Sequence, residues 1–237
     1  MNKLVTVWDL PLRLFHWAMV VSVASCYATG NLGGHWLEWH VFIGTFVFSL
    51  LCFRIQWGFL GNPYSRFCQF FPTLSRIRLY LKSTWNELGH SPLGAISVFA
   101  ILGILLIQSL LGLFSFNDEI EVHGPFYELL NSSLTEQITY WHTMLVNGLI
   151  FLFALHISAI FYFAKFKKIN LVKPMITGKM IVSAGQKVRS TNNRRLIPFL
   201  ISIISSSIIF LSINNDEIIQ WFLLAEKSVP HKSLPEW

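Results

Sequence analysis

The sequence has 237 residues, of which 53% are hydrophobic and only 13% are charged, and its mean hydropathy is +0.52. Soluble domains carry about 25% charged residues, so this composition excludes an ordinary soluble enzyme and indicates a membrane protein. The formal net charge of +6 comes from basic loops and does not indicate a nucleic-acid partner. The three cysteines form no CxxC pair, which argues against iron–sulfur clusters, covalently attached haem and zinc ribbons.

Five apolar stretches are each long enough to cross a hydrocarbon core of about 30 Å. In chain order they are predicted at about 10–27, 39–59, 93–116, 138–163 and 196–213. The first resembles a secretion signal, but it carries a WDLP motif near its start and is expected to be retained as a helix. The sequence therefore predicts an all-α integral membrane protein, with a four-helix transmembrane bundle and a fifth, C-terminal transmembrane helix.

The loop charges predict the orientation. Lys and Arg are concentrated after the second and fourth spans, whereas Asp and Glu are concentrated between the third and fourth, from Asp118 to Glu136. Because cytoplasmic loops carry the excess of Lys and Arg, we expect a cytoplasmic N-terminus and a C-terminus on the outer side. The stretches 61–90 and 167–190 are predicted to lie against membrane lipid on the cytoplasmic leaflet.

Histidines inside apolar spans are the main functional signal, because ionisable side chains are costly there. His142 and His156 share the fourth span and are 14 residues apart. At about 100° per residue they return to within about 40° of one helix face, separated vertically by about 21 Å. Each therefore faces the bundle interior, one near each membrane surface.

Depth predicts the partners of these two histidines. His40 begins the second span on the outer side, level with His142, and His16 lies near the inner start of the first span, level with His156. Two imidazoles on facing helices suit the two axial positions of a haem iron. We therefore predict the pairs His40–His142 and His16–His156, with each second ring nitrogen held by a backbone carbonyl or a serine.

Weaker features bear on the same sites. Gly44, one turn after His40, leaves room for a porphyrin, although small residues also serve ordinary helix packing. Arg13 and Arg54 are predicted to neutralise haem propionates near the inner pair. A lone histidine in a span is more often a packing residue, but four at matched depths disfavour that interpretation. The other histidines are interpreted as loop or helix-start residues, with a propionate contact left open for His90.

Several motifs are similar to those of the bacterial cytochrome b-561 family, which includes the b-type subunits of nickel–iron hydrogenases. In order they are VWDLPLRLFHW (7–17), HVFIG (40–44), RIQWGFLG (54–61), GHSPLGAIS (89–97), YWH (140–142), ALH (154–156) and NLVKPMITGK (170–179). The resemblance implies a bacterial inner-membrane protein whose di-haem domain covers 5–180, with both b haems on the same four histidines. Residues 181–237, with the fifth span, lie outside it.

Haem ligated on both sides leaves no open position at iron, which favours electron transfer over chemistry at the metal and assigns no catalytic residue. We expect electrons to pass between the quinone pool (ubiquinone or menaquinone) and a periplasmic partner such as a c-type cytochrome. One alternative is a quinone oxidoreductase that uses a small outer reductant such as superoxide. Another is the membrane cytochrome subunit of a hydrogenase or formate dehydrogenase. A metal transporter is disfavoured, because spans two to four contain no carboxylate.

Overall fold

The computed structural model describes residues 3–182, 188 and 195–215. In this part of the chain eight α-helices follow one another: α1 (Leu10–Leu32), α2 (Trp36–Leu60), α3 (Phe67–Phe70), α4 (Leu74–Leu81), α5 (Pro92–Leu113), α6 (Ser132–Lys165), α7 (Val172–Thr177) and α8 (Leu196–Ile213). Helices α1, α2, α5, α6 and α8 are long and apolar enough to cross a membrane, which confirms the predicted all-α membrane class. The predicted bounds of the fifth span agree with α8.

Capping side chains explain where three of the long helices begin. At each start a side-chain oxygen accepts a backbone N–H three residues later, and the capping residues are Asp9, Ser91 and Asn131. Gly33 ends α1 with a φ of 65°, a conformation that favours glycine. The first and fourth spans are longer than predicted. Thr29 and Asn31 bond to carbonyls within α1 and so keep its polar last turns helical, and Asn131 starts α6 ahead of its apolar stretch.

The spanning helices pack in sequence around a shared interior. Helix α1 contacts α2, α2 contacts α5, and α5 contacts α6, while α8 packs against α2. Phe199 near the start of α8 meets the rings of Phe53 and Trp57, and Asn214 just after its end donates to Thr45. The fifth span therefore belongs to the folded bundle along its whole length. The outward-facing apolar residues of the helices are exposed, as expected for surfaces that contact lipid.

Four short strands distinguish the two ends of the bundle: β1 (Lys3–Thr6), β2 (Phe116–Asn117), β3 (Val122–His123) and β4 (Lys179–Val182). At one end β1 pairs antiparallel with β4, beside α3, α4 and α7. We call this the basic end, and it comprises residues 3–9, 61–91 and 166–182. At the other end β2 pairs with β3, and we call residues 33–35 and 114–131 the acidic end. The predicted domain boundary at 180 falls within β4.

Candidate functional site

His40 and His142 meet near the acidic end, as predicted from their depths. Their ring centres are 6.0 Å apart and their ring planes are at 85° to each other. A metal-bound imidazole nitrogen lies about 2 Å from a first-row metal ion, and the centre of its ring roughly 1 Å farther, so two imidazoles on opposite sides of one ion have centres roughly 6 Å apart. The observed separation therefore fits a single iron between the two rings.

Backbone carbonyls fix the tautomer of both rings. His40 Nδ1 donates to the carbonyl oxygen of Cys26 at 2.8 Å, and His142 Nδ1 donates to that of Gln108 at 3.0 Å. Because a carbonyl oxygen can only accept, each Nδ1 carries the ring proton and each Nε2 keeps its lone pair. This is the usual second partner of a metal-binding histidine, and it matches the expectation from the sequence.

The same two neighbours also hold the backbone of the histidines. The Cys26 thiol donates to the carbonyl of His40 at 3.7 Å, and the Gln108 side-chain amide donates to the carbonyl of His142 at 2.8 Å. Each histidine is thus tied at both its ring and its main chain to one residue of a neighbouring helix. Neither Cys26 nor Gln108 was predicted to belong to the site, although Gln108 is the one amide side chain in α5.

Two glycines make room for these rings. A Cβ added at Gly30 would lie 2.9 Å from His40 Nδ1, and one added at Gly112 would lie 2.9 Å from His142 Cε1. Gly44, which the sequence indicated as porphyrin space, has nothing within 4 Å of an added Cβ. It therefore borders open space one turn from His40. Gly30 was not predicted to belong to the site.

His16 and His156 come together toward the basic end, close enough for a charge on His156 to act on His16. The His16 ring lies 5.1 Å from that of Trp17, almost perpendicular to it. Its Nδ1 is buried and has no hydrogen-bond partner among the described residues. The expectation that a carbonyl or serine holds every second ring nitrogen is therefore wrong for His16. Within the described residues no group of three or more His, Cys, Asp or Glu side chains is placed to hold a metal ion.

Arg54 lies level with the basic-end pair. It follows His40 by 14 residues on α2, which repeats the spacing of His142 and His156 on α6. Its side chain is 2% exposed, and its Cζ lies 4.5 Å from the centre of the Phe67 ring. One terminal nitrogen, Nη1, is buried with no partner in the described part of the chain. Asp9 is close enough for its negative charge to act on this guanidinium, and Nη1 is a remaining donor that fits a haem propionate.

Asp9, of the WDLP motif, is the acidic group of this region. Its carboxylate accepts hydrogen bonds from the Trp57 indole, the Asn62 amide and the Ser65 hydroxyl, besides capping α1. The family-like motifs at 7–17 and 54–61 therefore meet in one structural hub. Its role is to hold the ends of α1 and α2 and the following turn together.

His90 lies beside this hub. Its ring stacks on Phe70 with centres 4.2 Å apart and tilts against Trp8 at 4.5 Å. Burial, and then the positive charge of Arg54, lowers the pKa of His90 to about 3. His90 is therefore neutral in the folded protein at ordinary pH.

Arg13 is engaged with the chain itself. One of its terminal nitrogens donates to the carbonyl of Ile176, and Trp17 donates to that of Met175 at 3.3 Å. These bonds fasten α7 to the first turns of α1. The predicted propionate contact of Arg13 stays a prediction, supported by a buried Nε that has no partner among the described residues.

Comparison with known proteins places these features in a family. A family model described as prokaryotic cytochrome b561 matches residues 7–178. The chain belongs to this family. As a member of this family it is an integral membrane protein, and the matched range contains His16, His40, His142 and His156. Helix α8 lies beyond that range.

Among curated proteins, similar relatives are the probable Ni/Fe-hydrogenase 1 B-type cytochrome subunits of Escherichia coli strain K12 and Escherichia coli O157:H7. Each is 26% identical over 151 residues, which cover 51% of this cytochrome and 64% of the relative. The match thus spans less than two thirds of the relatives' length. No solved structure matches the chain at a significant level.

Proposed function

We propose that the protein carries electrons between the two membrane faces on two b haems, one held by His40 and His142 and the other by His16 and His156. The observation that carries this proposal is the acidic-end pair, whose rings are 6.0 Å apart and whose Nδ1 atoms are both engaged by carbonyls. When bound, haem supplies one-electron redox chemistry at its iron.

The side chains of this chain hold and tune that chemistry. Hydrogen bonds from Nδ1 to the Cys26 and Gln108 carbonyls raise the basicity of the ligating nitrogens and fix their direction. Arg54 supplies a buried positive charge at the level of the other pair, where it would neutralise a propionate. The apolar helices keep water away from both sites. Two sites about 21 Å apart along the bundle would link the membrane surfaces.

The charges of the loops support an assignment of each end of the bundle to one side of the membrane. The basic loops support a cytoplasmic N-terminus in a bacterial inner membrane, so His40 and His142 would lie on the periplasmic side. The acidic end, with Asp118, Glu119 and Glu121 in its loop, suits a redox partner with a basic surface, such as a c-type cytochrome. The quinone pool, as ubiquinone or menaquinone, is the proposed exchange partner within the membrane.

A second candidate comes from the names of the Escherichia coli relatives. These are probable B-type cytochrome subunits of a Ni/Fe-hydrogenase, so this chain would be the membrane subunit that takes electrons from a hydrogenase. Gentle solubilisation followed by mass spectrometry distinguishes the candidates. A hydrogenase subunit recovered at a fixed ratio favours the second candidate, and a cytochrome recovered without one favours the first.

Proteoliposomes test the transfer itself. Ferricyanide is trapped inside vesicles that contain the cytochrome, and a reduced quinol is added to the membrane. The wild type should reduce the ferricyanide, and His142→Ala should abolish the reduction, because the acidic-end haem is then missing. His35→Ala, which changes an exposed histidine outside the helices, is the matched control and should retain the wild-type rate. Wild-type protein that binds both haems but does not reduce ferricyanide would rule out transfer across the membrane.

A further inference from the structure

Two arginines lie side by side where α2 ends and α8 begins. Arg66 Nε donates to the carbonyl of Gly61 at 2.8 Å, and Arg195 Nη1 donates to the carbonyl of Leu60 at 2.7 Å. Because these carbonyls are consecutive, the two guanidinium groups are close neighbours. Burial, and then the positive charge of Arg66, lowers the pKa of Arg195, although arginine remains protonated under all ordinary conditions.

The hydrogen bonds among the described residues engage only part of this pair's donors. A guanidinium has five N–H donors, whereas the contacts above use one from each arginine. Arg195 Nε is buried and has no partner among the described residues. Asp9 is the acidic group whose charge acts on Arg195, but its oxygens already accept hydrogen bonds from the hub described above. Within the described part of the chain the pair therefore has spare donors and excess positive charge.

Capping of α2 does not account for both arginines. A cation near the C-terminal end of a helix is favourable, and one arginine would meet that need. Placing two like charges together costs free energy, which an anion between them would offset. The start of α8 adds the positive end of its own helix dipole to the same place. The surface between these two helix ends, which Arg66 and Arg195 line and which we call the groove, is thus suited to attract an anion.

Apolar side chains around the groove indicate what kind of anion it takes. Phe59, Leu196 and Ile197 flank the arginines and are 68%, 65% and 72% exposed. They belong to membrane-spanning helices, so they face acyl chains, while the arginines lie at the helix ends, at head-group level. A soluble anion would use the arginines but would leave these side chains uncovered.

We propose that Arg66 and Arg195 bind the phosphate of an anionic phospholipid in the groove between α2 and α8. The lipid's acyl chains cover Phe59, Leu196 and Ile197, and its phosphate joins the first turn of α8 to the end of α2. This site lies outside the haem sites and does not depend on the number of haems or on their partners. It gives α8, the span beyond the family match, a lipid-dependent attachment to the bundle.

Lipid titration of the purified full chain, followed by native mass spectrometry, tests the proposal. Phosphatidylglycerol, phosphatidylcholine and inorganic phosphate are the three probes. The wild type should bind one phosphatidylglycerol more tightly than phosphatidylcholine, and inorganic phosphate in excess should not displace it. Since each arginine near the membrane surface contributes about 1 kcal/mol to binding of anionic lipid, Arg66→Gln and Arg195→Gln should each weaken this binding about fivefold.

Arg78→Gln is the matched control, because it removes one exposed positive charge from the same end of the bundle. It should leave the affinity within about twofold of wild type, well short of the loss expected at the site. Arg195→Lys is the control for misfolding. It keeps the positive charge, so it should keep the preference for phosphatidylglycerol. Equal wild-type affinity for the two lipids, or equal losses in Arg66→Gln and Arg78→Gln, would overturn the proposal. Displacement of phosphatidylglycerol by inorganic phosphate would overturn the lipid assignment.

Discussion

The two histidine pairs have the same ligand chemistry but differ in what surrounds them. At the acidic end, His40 and His142 are each held by a carbonyl, and a glycine makes room for each ring. Toward the basic end, His16 Nδ1 is buried and has no partner among the described residues, and the cation Arg54 is buried at the same level of the bundle. Hydrogen bonds to the ligand stabilise ferric iron, whereas a nearby cation stabilises ferrous iron. We therefore expect the acidic-end haem to have the lower midpoint potential.

The largest expected effect is the loss of a whole haem. His142→Ala should remove the lower-potential wave of a redox titration, and His156→Ala should remove the higher-potential wave, because each removes one axial ligand of a different site. Haem content measured on the same samples should fall by half in both variants. If both substitutions abolish the same wave, the pairing of histidines by depth is wrong.

The next effect tests the polar hub of the basic end. Asp9→Ala leaves the Trp57, Asn62 and Ser65 donors buried without their acceptor, which should destabilise the fold by about 3 kcal/mol or more. Unfolding in detergent, followed by both absorbance and helical circular dichroism, measures this change. Asp118→Ala, an exposed acid at the other end, is the control and should change stability by less than about 0.5 kcal/mol. Equal stability of the two variants would contradict the role given to Asp9.

A smaller effect tests the space beside the acidic-end ring. Gly112→Ala brings a methyl group to 2.9 Å from His142 Cε1, so the ring must shift and the lower-potential haem should be partly lost. Gly103→Ala lies on the same helix, is exposed and has nothing within 4 Å of the added carbon. It should keep full haem content. Loss of the higher-potential haem in Gly112→Ala would contradict the assignment of Gly112 to the site of His40 and His142.

The smallest effect is the part of the pH dependence of stability that comes from His90, at the basic end. His90 has a pKa of about 3 in the folded protein and about 6.5 when unfolded, so protons bind preferentially to the unfolded chain between these values. Stability is therefore complete above pH 6.5 and falls as the pH drops, by about 2 kcal/mol at pH 5. His90→Gln should remove this part of the slope. If the stability of His90→Gln falls with pH as steeply as that of the wild type, another group is responsible for the pH dependence.

The parts of the site that follow from helix geometry could be predicted from the sequence. The spacing of His142 and His156 and the depths of His16 and His40 need only the rise and turn of a helix. The structure places the ring centres of His40 and His142 6.0 Å apart, and it places His156 close enough for its charge to act on His16, while haem ligation by the four histidines stays a prediction. The same geometry would have indicated Gly30, which follows His16 by 14 residues on α1 and so lies at the level of the other pair.

Other parts could not be predicted, for physical reasons. Cys26 and Gln108 hold the rings through backbone carbonyls, which every residue has, so the residue type carries little signal. Asp9 acts through Trp57, Asn62 and Ser65, which are far from it in sequence and are brought near only by the packing of α2 on α1. The hydropathy pattern predicts that the first span ends at 27, whereas α1 ends at Leu32. The side chains of Thr29 and Asn31 are polar but donate hydrogen bonds to carbonyls within the helix, so the helix continues through them.

The central claim is that one chain holds two haems in separate sites at different depths. Haem content per chain of the purified wild type, measured together with a redox titration, tests it most directly. The account predicts two haems per chain and two one-electron waves, of which the lower disappears in His40→Ala. One haem per chain, or two haems that both survive in His40→Ala, would contradict it.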